Sequence, residues 1–226
     1  DFALTREAAK HIANAMAYDD VIRVADLKIR RDRMARIRAE MVAAEADLMQ
    51  VTEFFHPRAE EIVGSLPAGL GGWLEARPRA MAWIDRLFGG GRRPRTDGLR
   101  GYLMLHIVAG RRRSRRRTLR HAREVAHLEA WLAHAHAALD TDYDLAVEIL
   151  RCRRLIKGYS DTHARGLSKF DRVLAGARRV AGREDAAQWV ARLREAALQD
   201  EKGEALDGAL RTIESFTDGE TREETT

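Results

Sequence analysis

The chain has 226 residues, a formal net charge of +5, 33% charged and 45% hydrophobic side chains, and only 6% aromatics. That balance excludes a disordered, fibrous or collagen-like polypeptide and describes a globular one, able to bury roughly 70% of its unfolded surface. Cys152 is the sole cysteine, so no internal disulfide and no thiolate-ligated cluster can form, and no run approaches the ~18 apolar residues of a membrane helix.

Taken from the start, Ile12, Met16 and Ile22 mark a first apolar stripe with Thr5 as its N-cap. Met34, Ile37, Met41, Ala44 and Leu48 step by three or four residues and predict a helix from about Arg31. Pro57 is placed to open a short helix through Ile62. Trp83 and Leu87 mark another, which ends at Gly89-Gly90-Gly91, and Leu103 and Ile107 mark the next. The glycine run precedes Arg92, Arg93 and Pro94 and reads as a loop, not as a phosphate cradle; neither GxGxxG nor GxxxxGK[ST] occurs.

Residues 111–157 hold neither proline nor glycine. Leu119, Ala122, Val125, Leu128, Leu132, Ala135 and Leu139 keep helical spacing. Thr141 with Asp144 then predicts a new start, followed by Leu145, Ile149, Cys152 and Ile156 and a stop at Gly158. Asp161 or Ser160 caps the next helix, with Phe170, Val173 and Leu174, and Gly182 closes it. Trp189 with Leu193, and Leu206 with Leu210 and Ile213, mark the last two. Alternating strand patterns are absent.

The expected fold is an all-α antiparallel multi-helix bundle with no sheet. It forms one domain over residues 1–216, built from a helical block (1–63), a broken middle (64–98) and a second block (99–216), with a disordered tail at 217–226. A reducing, cytoplasmic setting is the expectation from the cysteine content. Asp1 in place of a methionine points to a piece of a longer polypeptide.

Charge is uneven. Residues 92–123 carry 12 arginines and one acid, and residues 184–226 carry 5 basic against 12 acidic side chains. Arg111, Arg112, Arg113, Arg115, Arg116, Arg117 and Arg120 fall within ten positions. Phosphates of a nucleic acid are conceivable targets, but no aromatics interleave for base stacking. Pairing with acids of the chain or of a partner subunit is the preferred reading.

Two ExxH patterns, Glu53 to His56 and Glu124 to His127, resemble half of a di-iron bundle motif, but solvated side chains are the preferred reading and no metal site is assigned. Cys152 occupies a core step and reads as a buried, inert thiol despite its arginine neighbours. The most loaded segment is Leu155–Gly166. Lys157, Asp161, His163 and Arg165 crowd one helix–helix corner that is suited to capping, to an anion such as a carboxylate or phosphate, or to a partner. With Arg115, Arg116, Arg117 and Arg120, these four are the candidate contact residues; no catalytic residue is assigned.

Four segments carry a resemblance. LIKGYSDTHARG at 155–166, AYDDVIRVADLK at 17–28, TEFFHP at 52–57 and RRRTLR at 115–120 together resemble the helical C-terminal domain, of unassigned role, of indolepyruvate:ferredoxin oxidoreductases. That domain occurs on the beta subunit or at the end of fused 2-oxoacid:ferredoxin oxidoreductases, and the likeness spans residues 17–170. The resemblance implies a parent enzyme that oxidatively decarboxylates an aryl 2-oxoacid to an acyl-CoA. Thiamine diphosphate and iron–sulfur clusters lie on its other domains, and ferredoxin takes the electrons. This chain would then hold no cofactor and perform no catalysis of its own, and its partners would be the catalytic domains or subunits. A free-standing basic module that binds nucleic acid or a small anion is the alternative.

Overall fold

The computed structural model describes residues 2–16, 21–54, 58–90, 93–158, 160–199 and 201–223, without the side chains of residues 160, 161 and 218–223. Among the described residues twelve helices run in order: α1 (Ala3–Met16), α2 (Val21–Lys28), α3 (Arg33–Glu40), α4 (Ala59–Gly64), α5 (Ala68–Glu75), α6 (Pro78–Phe88), α7 (Leu99–Gly110), α8 (Leu119–Leu139), α9 (Tyr143–Arg151), α10 (Ser160–Val180), α11 (Ala186–Gln199) and α12 (Glu204–Glu223). Three 3-10 turns interrupt them, at Arg111–Arg113, Arg115–Arg117 and Cys152–Leu155. Among the described residues there is no strand, and the fold is an all-α helical bundle.

Contacts divide the chain into two compact units, one of residues 1–19 and 126–226 and the other of residues 20–125. The broken middle read at 64–98 lies inside the second unit, and the units divide between α1 and α2 and within α8. The terminal segment expected to be disordered continues α12 as far as Glu223.

In the first unit α1 packs on α9, α9 on α11, and α10 on both α11 and α12. Its core joins Trp131, Ile149, Cys152, Phe170, Val173, Val190, Leu193, Leu206 and Ile213 in one continuous cluster. Asp142 is extended and accepts the amide of Leu145 at 2.9 Å, so it, and not Thr141, caps α9. Leu145–Leu150 are then all buried, which explains why this short helix anchors the unit. Trp131, absent from the predicted stripe, is 1% exposed and donates its indole N–H to the Ile149 carbonyl at 2.9 Å. That bond satisfies the one polar atom of a large apolar side chain and ties α8 to α9. Gly182, the predicted stop, has φ +89°.

In the second unit two small clusters replace a single core. Ala25, Leu105 and Ala109 pack α2 on α7, and Ala59, Val63 and Ile84 pack α4 against α6. The stripe predicted from Met34 to Leu48 is not a helix face: α3 ends at Glu40, Val42 takes φ +52°, and Leu48 is fully exposed. Asp47 accepts the Ala44 amide at 2.7 Å, and Arg38 donates to the Ala44 carbonyl, so side chains build a turn where periodicity predicted a continued helix. Trp83, Leu87, Leu103 and Ile107 also point outward, and Ile84 and Leu105 take their places inside. Thr5 lies within α1 and does not cap it. The predicted start at Pro57 lies outside the described residues.

Candidate functional site

The corner at 155–166 is built by a stop and a close approach. After the 3-10 turn Cys152–Leu155, Gly158 takes φ +76°, a conformation side chains rarely adopt, and the chain re-enters a helix at α10. On α10, a Cβ at Gly166 would stand 2.5 Å from the Leu155 carbonyl oxygen. Only glycine lets α10 lie this near the turn. Lys157 and Arg165 are exposed, with no ion pair among the described residues, and His163 is half-buried. The side chain of Asp161 lies outside the described residues. The structure therefore displays two cations at this corner without joining them to each other.

The same unit holds an ionic lattice that the sequence reading missed. Glu148, 8% exposed, accepts Arg151 at 2.6 Å and two N–H groups of Arg194 at 3.0 and 3.1 Å. Arg151 also reaches Glu7 on α1 at 3.5 Å, and Glu7 lies 3.3 Å from His11. Buried Arg153 approaches His127 Nδ1 at 2.6 Å. A guanidinium only donates, so Nδ1 accepts and the proton sits on Nε2, 3.6 Å from Asp171. Burial pushes the His11 pKa down, assisted by the charge of Lys10 and opposed by Glu7. The signal for Glu148 was present in the sequence as a lone carboxylate inside the apolar run LAVEIL.

Cys152, in the same layer, is completely buried, and burial pushes its thiol up to about 12. The nearby Arg194 lowers it only in part. A thiol held this strongly protonated is neither a nucleophile nor a metal ligand at neutral pH.

The arginine run is not one continuous helix. Arg111–Arg113 and Arg115–Arg117 form two 3-10 turns between α7 and α8. Arg111 donates to the Ser65 carbonyl at 2.5 Å, and Arg112 stands 3.7 Å from Asp26, a carboxylate already shared by Arg23 and Arg30. Leu119 N–H donates to Leu66 O at 2.9 Å, which pins the start of α8 to the α4–α5 connection. Arg115 is half-buried, and Arg120 pairs with Glu124 at 2.9 Å. Arg113, Arg116 and Arg117 are exposed and carry no ion pair among the described residues. The run is thus part structural, through Arg111, Arg112 and Arg120, and part displayed.

Both ExxH glutamates are engaged by cations. Glu53 holds Lys28 at 2.5 Å and Arg33 at 2.6 Å, while Glu124 faces Arg120. His56 lies outside the described residues. Among the described residues no group of three or more His, Cys, Asp or Glu side chains is placed to hold a metal ion. A single buried thiol also offers no ligand set for an iron–sulfur cluster.

The fold is that of an all-helical protein. Residues 1–176 match a family of unknown function, DUF6537, and the chain belongs to that family. The match ends within α10, so α11 and α12, which complete the core of the first unit, lie beyond it. No curated protein and no solved structure matches the chain.

Proposed function

We propose that this chain is an accessory helical domain of an indolepyruvate (aryl 2-oxoacid):ferredoxin oxidoreductase. It supports assembly or partner contact while other domains hold thiamine diphosphate and iron–sulfur clusters and pass electrons to ferredoxin. The observation that carries the reading is the ordered set of four sequence segments, and the placement of two of them lends support. Lys28 of the segment at 17–28 and Glu53 of the segment at 52–57 are joined by an ion pair.

The test is deletion of residues 1–226 from the parent enzyme, with subunit association and 2-oxoacid-dependent ferredoxin reduction as readouts. Loss of either is the expected result; unchanged association and turnover would remove the proposal. A second reading rests on the two exposed cations at the 155–166 corner, Lys157 and Arg165, which suit the carboxylate of a substrate or a phosphate of coenzyme A. Under that reading Arg165→Glu raises the KM of the parent enzyme for one of these, with kcat and thermal stability held; an unchanged KM would dismiss it.

A further inference from the structure

Helix α7 is apolar on two opposite sides. Leu105 and Ala109 face inward onto Ala25 of α2, and Gly101 on the same side is buried against the backbone at Arg95 and Thr96. Leu99, Leu103 and Ile107, spaced by four residues along the other side, are 74%, 49% and 70% exposed. A helix that is hydrophobic all round is ordinarily buried all round, and this one is covered on one side only. Exposed Tyr102 stacks on His106 beside the stripe, with ring centroids 5.9 Å apart.

Residues 98–123 contain no acid, and Arg100 and Arg113 are exposed without ion pairs among the described residues. The acids nearby, Asp97 just before α7 and Asp26 on α2, are already held by Arg95 and by Arg23, Arg30 and Arg112. Three aliphatic side chains contribute little to phosphates or stacked bases, so nucleic acid leaves the centre of the patch unexplained. A second copy docking by the same face would set arginine against arginine across a two-fold axis. An acidic helical face with its own aliphatic stripe answers both features: apolar burial at the centre and paired guanidiniums at the rim.

We propose that the outward face of α7, with the arginines around it, docks an acidic, aliphatic-striped helical surface on the catalytic part of the parent oxidoreductase. The choice of partner rests on the function proposed above; the location and chemistry of the surface rest on α7 itself.

The experiment uses the full parent enzyme with Ile107→p-benzoylphenylalanine, and Leu198→p-benzoylphenylalanine on α11 as the comparison. Photolysis is followed by identification of the linked peptide. The expected product joins Ile107, and not Leu198, to a Glu- and Asp-rich helical segment of a catalytic polypeptide. Ile107→Glu and Arg113→Glu are each expected to weaken association at least ~10-fold, with Leu198→Glu near wild type and circular dichroism unchanged in all three. A link from Ile107 to another copy of this chain, to nucleic acid or to lipid would overturn the docking proposal. So would catalytic polypeptides that stay associated while only Leu198 links to them; the oxidoreductase reading would then stand. Failure of every catalytic polypeptide to co-purify would remove that reading, and with it the named partner. A link from Ile107 to some other protein would likewise overturn the docking proposal.

Discussion

The two units differ in what they do with apolar side chains and with charge. The first holds 17 basic and 22 acidic residues, a net −5, and buries its large side chains in one cluster that includes Trp131, Phe170 and Leu193. The second holds 23 basic and 13 acidic residues, a net +10, and its buried clusters are built on Ala25, Leu105 and Ala109 and on Ala59, Val63 and Ile84. Of the 21 large hydrophobic side chains exposed among the described residues, 17 belong to the second unit. A unit this basic, with this much apolar surface in water, has the composition of a contact surface. The first unit is organised as a self-sufficient core.

That contrast breaks most easily at Leu193 and Leu103, which are chemically identical and oppositely placed. Leu193→Ala empties a fully buried site and is expected to cost about 3 kcal/mol of unfolding free energy. Leu103→Ala removes a half-exposed side chain and is expected to cost under about 0.5 kcal/mol, both measured by denaturant titration. Equal costs would mean that α7 is covered on both sides and would erase the distinction between the units.

Glu148→Ala is expected to cost about 3 kcal/mol, because it leaves the largely buried Arg194 without its carboxylate and removes one partner of the part-exposed Arg151. An exposed pair in the second unit, cut by Glu40→Ala opposite Arg36, is expected to change stability by less than about 0.5 kcal/mol. Gly158→Ala, forced to keep φ +76° with Thr162 in the way, is expected to lower stability by about 1–2 kcal/mol in thermal unfolding.

The smaller effects concern titration. His11 and His134, both in the first unit, have pKa values pushed below the ordinary histidine value, chiefly by burial, with Arg178 adding to the effect at His134. A base with a depressed folded pKa binds fewer protons folded than unfolded. Stability from these two is therefore full above the unfolded value near 6.5 and falls as pH drops through it. Unfolding midpoints taken from pH 7.5 to 5 are expected to decline in the wild type and to decline less in His134→Gln; parallel curves would exclude His134 from that decline. Cys152 is expected to resist thiol reagents at pH 8 in the native state and to react fully in denaturant; fast native labelling would show the core of the first unit to be open.

The legibility of the sequence follows the same division. In the first unit Leu145, Ile149, Phe170, Val173, Leu193, Leu206 and Ile213 were all recoverable, since their polar neighbours leave one apolar stripe per helix. In the second unit the stripe through Met34, Met41 and Leu48, and the marks at Trp83, Leu103 and Ile107, pointed to a core and proved to be surface. The corner at 155–166 was legible because Gly158 and Gly166 punctuate it. The lattice of Glu7, Glu148, Arg151 and Arg194 was not, because its members are spread over α1, α9 and α11 and no local spacing links them.

The sequence by itself determined the helical class, the helix stops at Gly158 and Gly182 and the inward residues of α9 to α12, because these depend on neighbours within a few turns. Which side of α6 or α7 turns inward, where the chain divides into two units, and which acids hold which arginines were decided only by the tertiary structure. A helix with apolar residues on both sides carries no local instruction about which to bury. An ion pair between distant helices exists only once packing has brought its partners within reach.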